Sequence, residues 1–117
     1  MAIVEQHASP DGLMNLLVDL TAGDWTIGFD GYAWHTHGDI LNAWGYEGTP
    51  QARTRAFVDD IMQSRRVIAV VRTDGKVSDI VVPDDLVDRP SSRSFAKHAP
   101  ANETAEFRYW NGRPVAE

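Results

Sequence analysis

Residues 24–37 have the sequence DWTIGFDGYAWHTH, in which two alternating runs flank the dipeptide Asp30-Gly31. Successive side chains of a strand point to opposite faces, and Asp-Gly is favoured in the two-residue turns of β-hairpins. The stretch therefore predicts a hairpin with this dipeptide as its turn. Counting outward from the turn gives the cross-strand pairs of one face, which are Phe29 with Tyr32, Ile27 with Trp34, and Trp25 with Thr36.

The two faces of this hairpin differ in chemistry. The first face carries aromatic side chains and an isoleucine, a composition typical of a core, so we expect burial of Trp25, Ile27, Phe29 and Trp34. Because a slip of one residue exchanges the faces, burial of His35 in place of Trp34 would show a wrong register. The second face has the pairs Gly28 with Ala33, Thr26 with His35, and Asp24 with His37.

A second hairpin is predicted where RVIAVVRT and KVSDIVV flank Asp74-Gly75. The first arm contains an unbroken apolar run, which is typical of a central strand buried on both faces. Counting outward from the turn places Asp79 opposite Val70 and diagonal to Arg72, and this predicts a cross-strand ion pair.

Two segments carry helix signals. Ser9 and Pro10 form an N-cap and first-turn pair, and leucines then recur at helical spacing until Gly23. This pattern predicts a helix from Leu13 to Leu20.

Thr49 and Pro50 repeat the capping signature and predict a second helix that stops near Ser64. We expect its core to run from Ala52 to Ile61. Its apolar stripe consists of Ala52, Ala56, Phe57 and Ile61.

The last strand is predicted for the sequence TAEFRYW, which is followed by a turn at Asn111-Gly112 and by Pro114. Proline cannot donate to a strand ladder, so the short return arm is expected at a sheet edge. Alternation puts Arg108 and Trp110 on one face, which lies either at a surface or as a cover over the core. Tryptophan and arginine are enriched at interface hot spots.

These elements predict a single α+β domain over residues 1–117, in the order α-β-β-α-β-β-β. One antiparallel sheet contains both hairpins, and the two helices pack on it. Residues 84–103 are polar, contain proline and lack periodicity, so they predict a long surface loop within the domain.

The composition is that of a soluble domain without covalent staples. The chain has 117 residues and no cysteine, which excludes disulfides and thiolate metal sites. The start MAIVEQHASPDG has no basic and apolar regions of an export signal, and the longest unbroken apolar stretch is too short to span a bilayer. We therefore expect a cytoplasmic protein that does not bind membranes.

The formal charge of −6 is concentrated in the first half of the chain. Residues 1–60 contain nine Asp and Glu against only Arg53 and Arg55, a balance of −7, whereas residues 61–117 contain eight acids and nine Lys or Arg. Nucleic-acid affinity depends on Lys and Arg contacts to phosphate, so this distribution argues against a nucleic-acid partner. It favours a basic protein partner, although acidity also serves solubility alone.

The segment WHTHGD contains the one metal-like constellation of the sequence. His35 and His37 alternate onto one face of a strand, and Asp39 supplies charge, as in zinc and non-haem iron sites. A structural interpretation stays open beside this one. In it, His37 pairs with Asp24, His35 bonds locally, and Asp39 caps a short helix through Leu41.

The sequence contains none of the common catalytic signatures that we sought. It has no G-x-S-x-G elbow, no S-x-x-K element, and no glycine-rich phosphate loop of the P-loop or dinucleotide type. We therefore favour a binding protein without a cofactor over an enzyme.

The segments FDGYAWHTHGDIL and FVDDIMQSRRVIAVVRTDGKVSDIVVPDD, in a short acidic chain, resemble in style the small immunity proteins that bacteria make against polymorphic toxins. The resemblance covers most of the chain. It implies a cytoplasmic inhibitor that masks the active site of a toxin through acidic and aromatic contacts.

The function expected from these observations is an immunity-type, protein-binding module that neutralises a basic effector. Its expected partner-binding residues are Glu47 in a glycine-flanked loop, Asp59 and Asp60 on the second helix, and Arg108 with Trp110. The alternatives are a metal-binding protein or metal-dependent enzyme that uses His35, His37 and Asp39 with zinc or iron, and a homodimer joined through the edge strand near Trp110.

Overall fold

The computed structural model describes residues 2–83 and 99–116. Most of the predicted loop at 84–103 lies outside the described residues. The elements, in chain order, are β1 (Ile3–Ala8), β2 (Asn15–Thr21), β3 (Asp24–Phe29), β4 (His35–His37), a 3-10 turn (Leu41–Trp44), α1 (Pro50–Met62), β5 (Ile68–Thr73), β6 (Lys76–Val81) and β7 (Glu103–Arg108).

The strands form two antiparallel sheets around one core. The first sheet has the order β1-β2-β3-β4, and the second has the order β6-β5-β7. The expected α+β domain is confirmed, whereas the expectation of one sheet containing both hairpins is wrong. The core is shared by both sheets, α1, the 3-10 turn and the segment after β7, and its largest fully buried side chains are Phe57, Leu16, Ile27, Leu41, Ile61, Ile68 and Ile80.

The helix predicted from Leu13 to Leu20 is wrong, because this segment is strand β2. Leucines spaced by three and four residues fit a helix, but Leu16 and Val18 also alternate with less buried neighbours, as a half-buried strand requires. The segment is a strand and not a helix because β2 pairs with β1 on one side and with β3 on the other. The terminal segment that becomes β1 was not predicted as a strand.

The second predicted helix is confirmed as α1. The Thr49 side chain caps it by accepting a hydrogen bond from the backbone N–H of Ala52 at 3.1 Å. Its buried side chains are Thr54, Phe57, Val58 and Ile61, whereas Ala52 and Ala56 of the expected stripe are exposed. No helix within the described parts of the chain is long and apolar enough to cross a bilayer.

The second hairpin is confirmed, with β5 as the central strand of its sheet. Its turn residues Asp74 and Gly75 have φ angles of 53° and 80°, as a type I′ turn needs. A register shift between Val71 and Arg72 sets Asp79 opposite Val71, so the predicted position opposite Val70 is wrong.

The predicted ion pair of Arg72 with Asp79 is also absent from the described ion pairs. Arg72 instead donates from Nη1 to Glu106 Oε1 of β7 at 2.8 Å. The shift in register removes the expected diagonal neighbour, and the third strand supplies another carboxylate.

The return arm after β7 pairs along the edge of that strand. Arg108 forms an isolated antiparallel bridge with Pro114, and the N–H of Val115 donates to the carbonyl of Phe107 at 3.0 Å. The arm thereby covers part of the edge that a homodimer through Trp110 would use.

Candidate functional site

The loop of the first hairpin is longer than the predicted two residues. In the observed register, Ile27 pairs with Thr36 and Gly28 pairs with His35, so the predicted register is wrong by two residues. A shift of two preserves the faces. The expected burial is confirmed for Ile27 and Phe29, whereas Trp25 and Trp34 are only partly buried against the core. His35 is exposed, so the faces are not exchanged.

The side of the first sheet that points away from α1 presents a coherent set of side chains. We call it the outer face. In β3, Asp24, Thr26 and Gly28 alternate with the inward residues Ile27 and Phe29. Their neighbours on this face are Leu17, Asp19 and Thr21 of β2 and His35 and His37 of β4.

A groove of about 430 Å³ lies on the outer face and beside the hairpin loop. Gly28 lies between Leu17 and His35 in the register, and it adds no side chain there. A Cβ atom at this position would approach the carbonyl oxygen of Trp34 to 3.1 Å. The groove is lined mainly by apolar and aromatic side chains, and its polar groups are Asp19, two threonines, the Tyr32 hydroxyl and His35. Its walls include Ile3, Leu17, Gly28 and Trp34.

Asp19 is the one Asp or Glu among the described residues that line this groove, and none of them is Lys or Arg. The sequence has no Lys or Arg before Arg53. Of the acids that precede Arg53, Glu5 forms an ion pair with Arg55 of α1, and Asp11 forms one with Arg108 of β7. Within residues 2–83 and 99–116, no Lys or Arg forms an ion pair with the other five carboxylates, which belong to Asp19, Asp24, Asp30, Asp39 and Glu47.

The histidines of the outer face lie close together. The ring centroids of His35 and His37 are 5.1 Å apart, with the rings edge to face. His37 Nδ1 lies 3.2 Å from Thr26 Oγ1 and 3.3 Å from Asp24 Oδ2, and His35 Nδ1 lies 3.0 Å from the carbonyl oxygen of Ala33. These contacts agree with the structural interpretation of both histidines.

Asp39 does not have the capping role that this interpretation gave it. The 3-10 turn has Ile40 at its N-cap and no side-chain cap, so the prediction for Asp39 is wrong. The described residues also contain no group of three or more His, Asp and Glu side chains that could hold a metal ion. Metal binding by His35, His37 and Asp39 stays a prediction, which retention of an ion by the purified protein would support.

The three acids expected to contact a partner differ in their surroundings. Glu47 is exposed in its loop. Asp59 is 3.7 Å from Arg55 Nη1 within the same helix. Asp60 accepts hydrogen bonds from the Tyr46 hydroxyl and from Arg65 Nε, each at 2.7 Å. Burial acts to raise the pKa of Asp60, but these hydrogen bonds outweigh it and hold the pKa below its usual value.

Of the two placements left open for Arg108 and Trp110, the surface position is wrong and the cover over the core is confirmed. Trp110 is 5% exposed and belongs to the core, and Arg108 is 6% exposed. The two side chains lie on the same face, as alternation predicted, but that face packs inward. Asp11 neutralises the buried guanidinium of Arg108.

Sequence reasoning missed a buried arginine among aromatic rings. Arg66 is 8% exposed, and its guanidinium carbon lies 5.3 Å from the ring centroid of Trp44, 5.2 Å from that of Tyr46 and 5.9 Å from that of Phe57. Its Nε donates to the Tyr46 hydroxyl at 2.9 Å. Burial, together with the hydrogen bond to Asp60, raises the pKa of Tyr46 to about 12. No spacing in the sequence indicates this cluster.

The groove and the carboxylates around the first sheet are therefore the candidate functional site. Comparison of the chain with family models, with curated proteins and with solved structures finds no match. The resemblance to immunity proteins stays a prediction from the sequence.

Proposed function

We propose that this protein is a non-enzymatic binding module that attaches to a basic protein through the outer face of its first sheet. In the most concrete form of the proposal, it is an immunity-type inhibitor that covers the active site of a basic effector or toxin. The observation that carries the proposal is an apolar groove on this face with Asp19 as its one carboxylate among the described lining residues. Four further carboxylates, of Asp24, Asp30, Asp39 and Glu47, also have no Lys or Arg ion partner in the described parts of the chain.

The arrangement of apolar and charged groups supports a protein partner. Protein interfaces combine an apolar core, often with aromatic side chains, with a polar rim. Here Trp34 and Tyr32 line the groove, while Asp19 and Asp24 lie on the strands beside it and Asp30 lies in the hairpin loop. A nucleic acid would be repelled by the same carboxylates, because its own backbone is negative.

The inhibitory role is supported by charge complementarity. An enzyme that cleaves nucleic acid carries arginine or lysine side chains that bind phosphate, and a negative surface competes for those side chains. The carboxylates that form no ion pair with a Lys or Arg of the described ranges supply such a negative charge.

The surroundings of the three acids change their order as expected partner contacts. Asp60 is held by Tyr46 and Arg65, so its carboxylate is already engaged within the molecule. Glu47 is exposed and has no Lys or Arg ion partner in the described ranges, but it lies in the loop that leads into α1 and not on the outer face. We therefore place it above Asp59 and Asp60 as a charge that steers the approach of the partner, not as a contact within the groove.

The experiment measures the rate at which this protein associates with the product of the neighbouring gene. Electrostatic steering raises the association rate and makes it depend on salt. We expect the on-rate to fall steeply from low to high salt and to fall with Glu47→Lys, with smaller effects for Asp59→Lys and Asp60→Lys. An absence of binding, or an on-rate that ignores both salt and Glu47→Lys, would refute the proposal.

A further inference from the structure

We infer that the groove on the outer face is a pocket for one arginine side chain of the partner, with the Asp19 carboxylate as its acceptor. The inference rests on the proposed function, because it specifies how the same face recognises a basic protein. It is argued from charge complementarity and shape. Asp19 supplies the charge, apolar and aromatic groups supply the walls, and the described residues that line the groove include no Lys or Arg.

Asp19 is held in one orientation and keeps free acceptor capacity. The backbone N–H of Ala2 donates to its Oδ2 at 2.9 Å, and the Thr21 hydroxyl donates to its Oδ1 at 2.7 Å. A carboxylate has about two lone-pair sites on each oxygen, so one site per oxygen is left. Two acceptors side by side match the fork of a guanidinium, which donates two parallel N–H groups.

An apolar floor leads away from this acceptor. Asp19 pairs with Thr26, so Gly28 is its diagonal neighbour on the outer face, at about 7 Å. Leu17 flanks Gly28 on β2, and Trp34 closes the groove at the hairpin loop. Arginine buries its methylene stem on apolar surface while its charged head reaches a polar group. The groove therefore accommodates the stem over Gly28 and Leu17 with the head at Asp19.

The acceptor geometry favours arginine over lysine. A lysine ammonium is a compact, strongly hydrated charge that does not use two fixed acceptors in one plane. The two existing hydrogen bonds of Asp19 fix that plane. We therefore expect the pocket to discriminate between the two basic side chains, and to reject citrulline, which has the shape of arginine without its charge.

The test is a titration of the isotope-labelled, full-length protein with a capped Gly-Ser-Arg-Ser-Gly peptide, followed by NMR. We expect this peptide to shift the amide signals of Leu17, Asp19 and Gly28. The same peptide with lysine in place of arginine should give weaker shifts, and the peptide with citrulline there should give none. Asp19→Asn should weaken the affinity about tenfold, the size of a lost charge-assisted hydrogen bond. The matched control is Asp74→Asn, which removes an exposed carboxylate in the turn of the second hairpin, outside the groove, and should leave the peptide affinity unchanged.

Several results would overturn the pocket. These are an absence of groove shifts at millimolar peptide, equal binding of the citrulline peptide, or equal effects of the two Asn variants. If Asp19→Asn does not fold, Leu17→Thr tests the apolar floor, and unchanged binding by that variant would also count against the pocket. Salt-dependent association with the neighbouring-gene product, in the absence of arginine-peptide binding, would refute the pocket and leave the proposed function standing.

Discussion

Arg108 on β7 forms an ion pair with Asp11 in the turn between β1 and β2, a residue 97 positions earlier in the chain. The contact joins the second sheet to the first. Asp11 also accepts hydrogen bonds from the Ser9 hydroxyl at 2.8 Å and from the Leu13 N–H at 3.1 Å. The hydrogen bond from Arg108, with those from Leu13 and Ser9, lowers the pKa of Asp11 from 3.8 to about 2.

The first prediction concerns acid stability. A carboxyl whose pKa is lower in the folded state stabilises the fold above its unfolded pKa and loses this contribution as the pH falls through its folded pKa. The contribution of Asp11 is therefore present above about pH 4 and lost towards pH 2. Because the Asp11 side chain is 43% exposed, solvent screening reduces the cost of Asp11→Asn to about 1 kcal/mol at neutral pH.

The measurement for this prediction is the free energy of unfolding by urea between pH 2 and pH 7. We expect the difference between Asp11→Asn and the wild type to vanish at the acid end. Asp74→Asn, in a turn position that asparagine tolerates, is the control and should match the wild type. A constant difference across the range would show that the ion pair is not its cause.

The second prediction compares two buried threonines. The Thr36 hydroxyl has no hydrogen-bond partner among the described residues, whereas the Thr54 hydroxyl donates to the carbonyl oxygen of Pro50 at 2.8 Å. Replacing an unpaired buried hydroxyl by a methyl group relieves a desolvation cost, whereas replacing a paired one removes a bond. We expect Thr36→Val to raise the free energy of unfolding by about 1 kcal/mol and Thr54→Val to lower it by a similar amount. Equal losses for both variants would contradict the assigned register of β4.

The third prediction concerns the ionisation of Tyr46 at high pH. Its pKa of about 12 lies above the usual 10.0, so it stabilises the fold fully below pH 10 and loses this effect as the pH rises towards 12. An absorbance titration of tyrosinate should show one late-ionising residue. The late phase should disappear in Tyr46→Phe and persist in Tyr109→Phe, and its persistence in Tyr46→Phe would reject the hydrogen-bonded cluster around Arg66.

The fourth prediction concerns a close approach between β4 and α1. A Cβ atom at Gly38 would lie 2.5 Å from Thr54 Oγ1 and 2.7 Å from the carbonyl oxygen of Pro50. Overpacking of this kind costs about 1–3 kcal/mol, and we expect that loss for Gly38→Ala in chemical denaturation. Gly28→Ala, whose nearest contact would be 3.1 Å, is the milder comparison. A smaller loss for Gly38→Ala than for Gly28→Ala would contradict the packing of the turn on the helix.

The sequence predicted elements whose signals are local. The turns Asp30-Gly31 and Asp74-Gly75 and the Thr49 cap each lie within a few residues of the element that they define, and both hairpins and α1 are present. Strand β2 was missed because its leucines fit two periods, and only pairing with β1 and β3 separates them. The sheets are separate because β5 pairs with β6 and with the distant β7.

Of the properties of the candidate site, only its acidic character could be predicted from the sequence. The absence of Lys and Arg before Arg53 is visible in the sequence. The groove depends on the meeting of Leu17, Gly28 and His35 across three strands, and this follows from a hairpin register that differs by two residues from the predicted one. The inward position of Arg108 depends on Asp11, which no local pattern connects to it.

The central claim is that a basic partner binds the outer face of the first sheet, and a pair of charge-matched double variants tests it most directly. Asp24→Asn with Asp39→Asn removes two carboxylates beside the first sheet, and Asp74→Asn with Glu103→Gln removes two from the second sheet. Both variants change the net charge equally, so a general effect of charge would slow association with the neighbouring-gene product equally. We predict a lower on-rate and a weaker salt dependence for the first variant alone. Equal slowing by both variants, or slowing by the second alone, would contradict the claim.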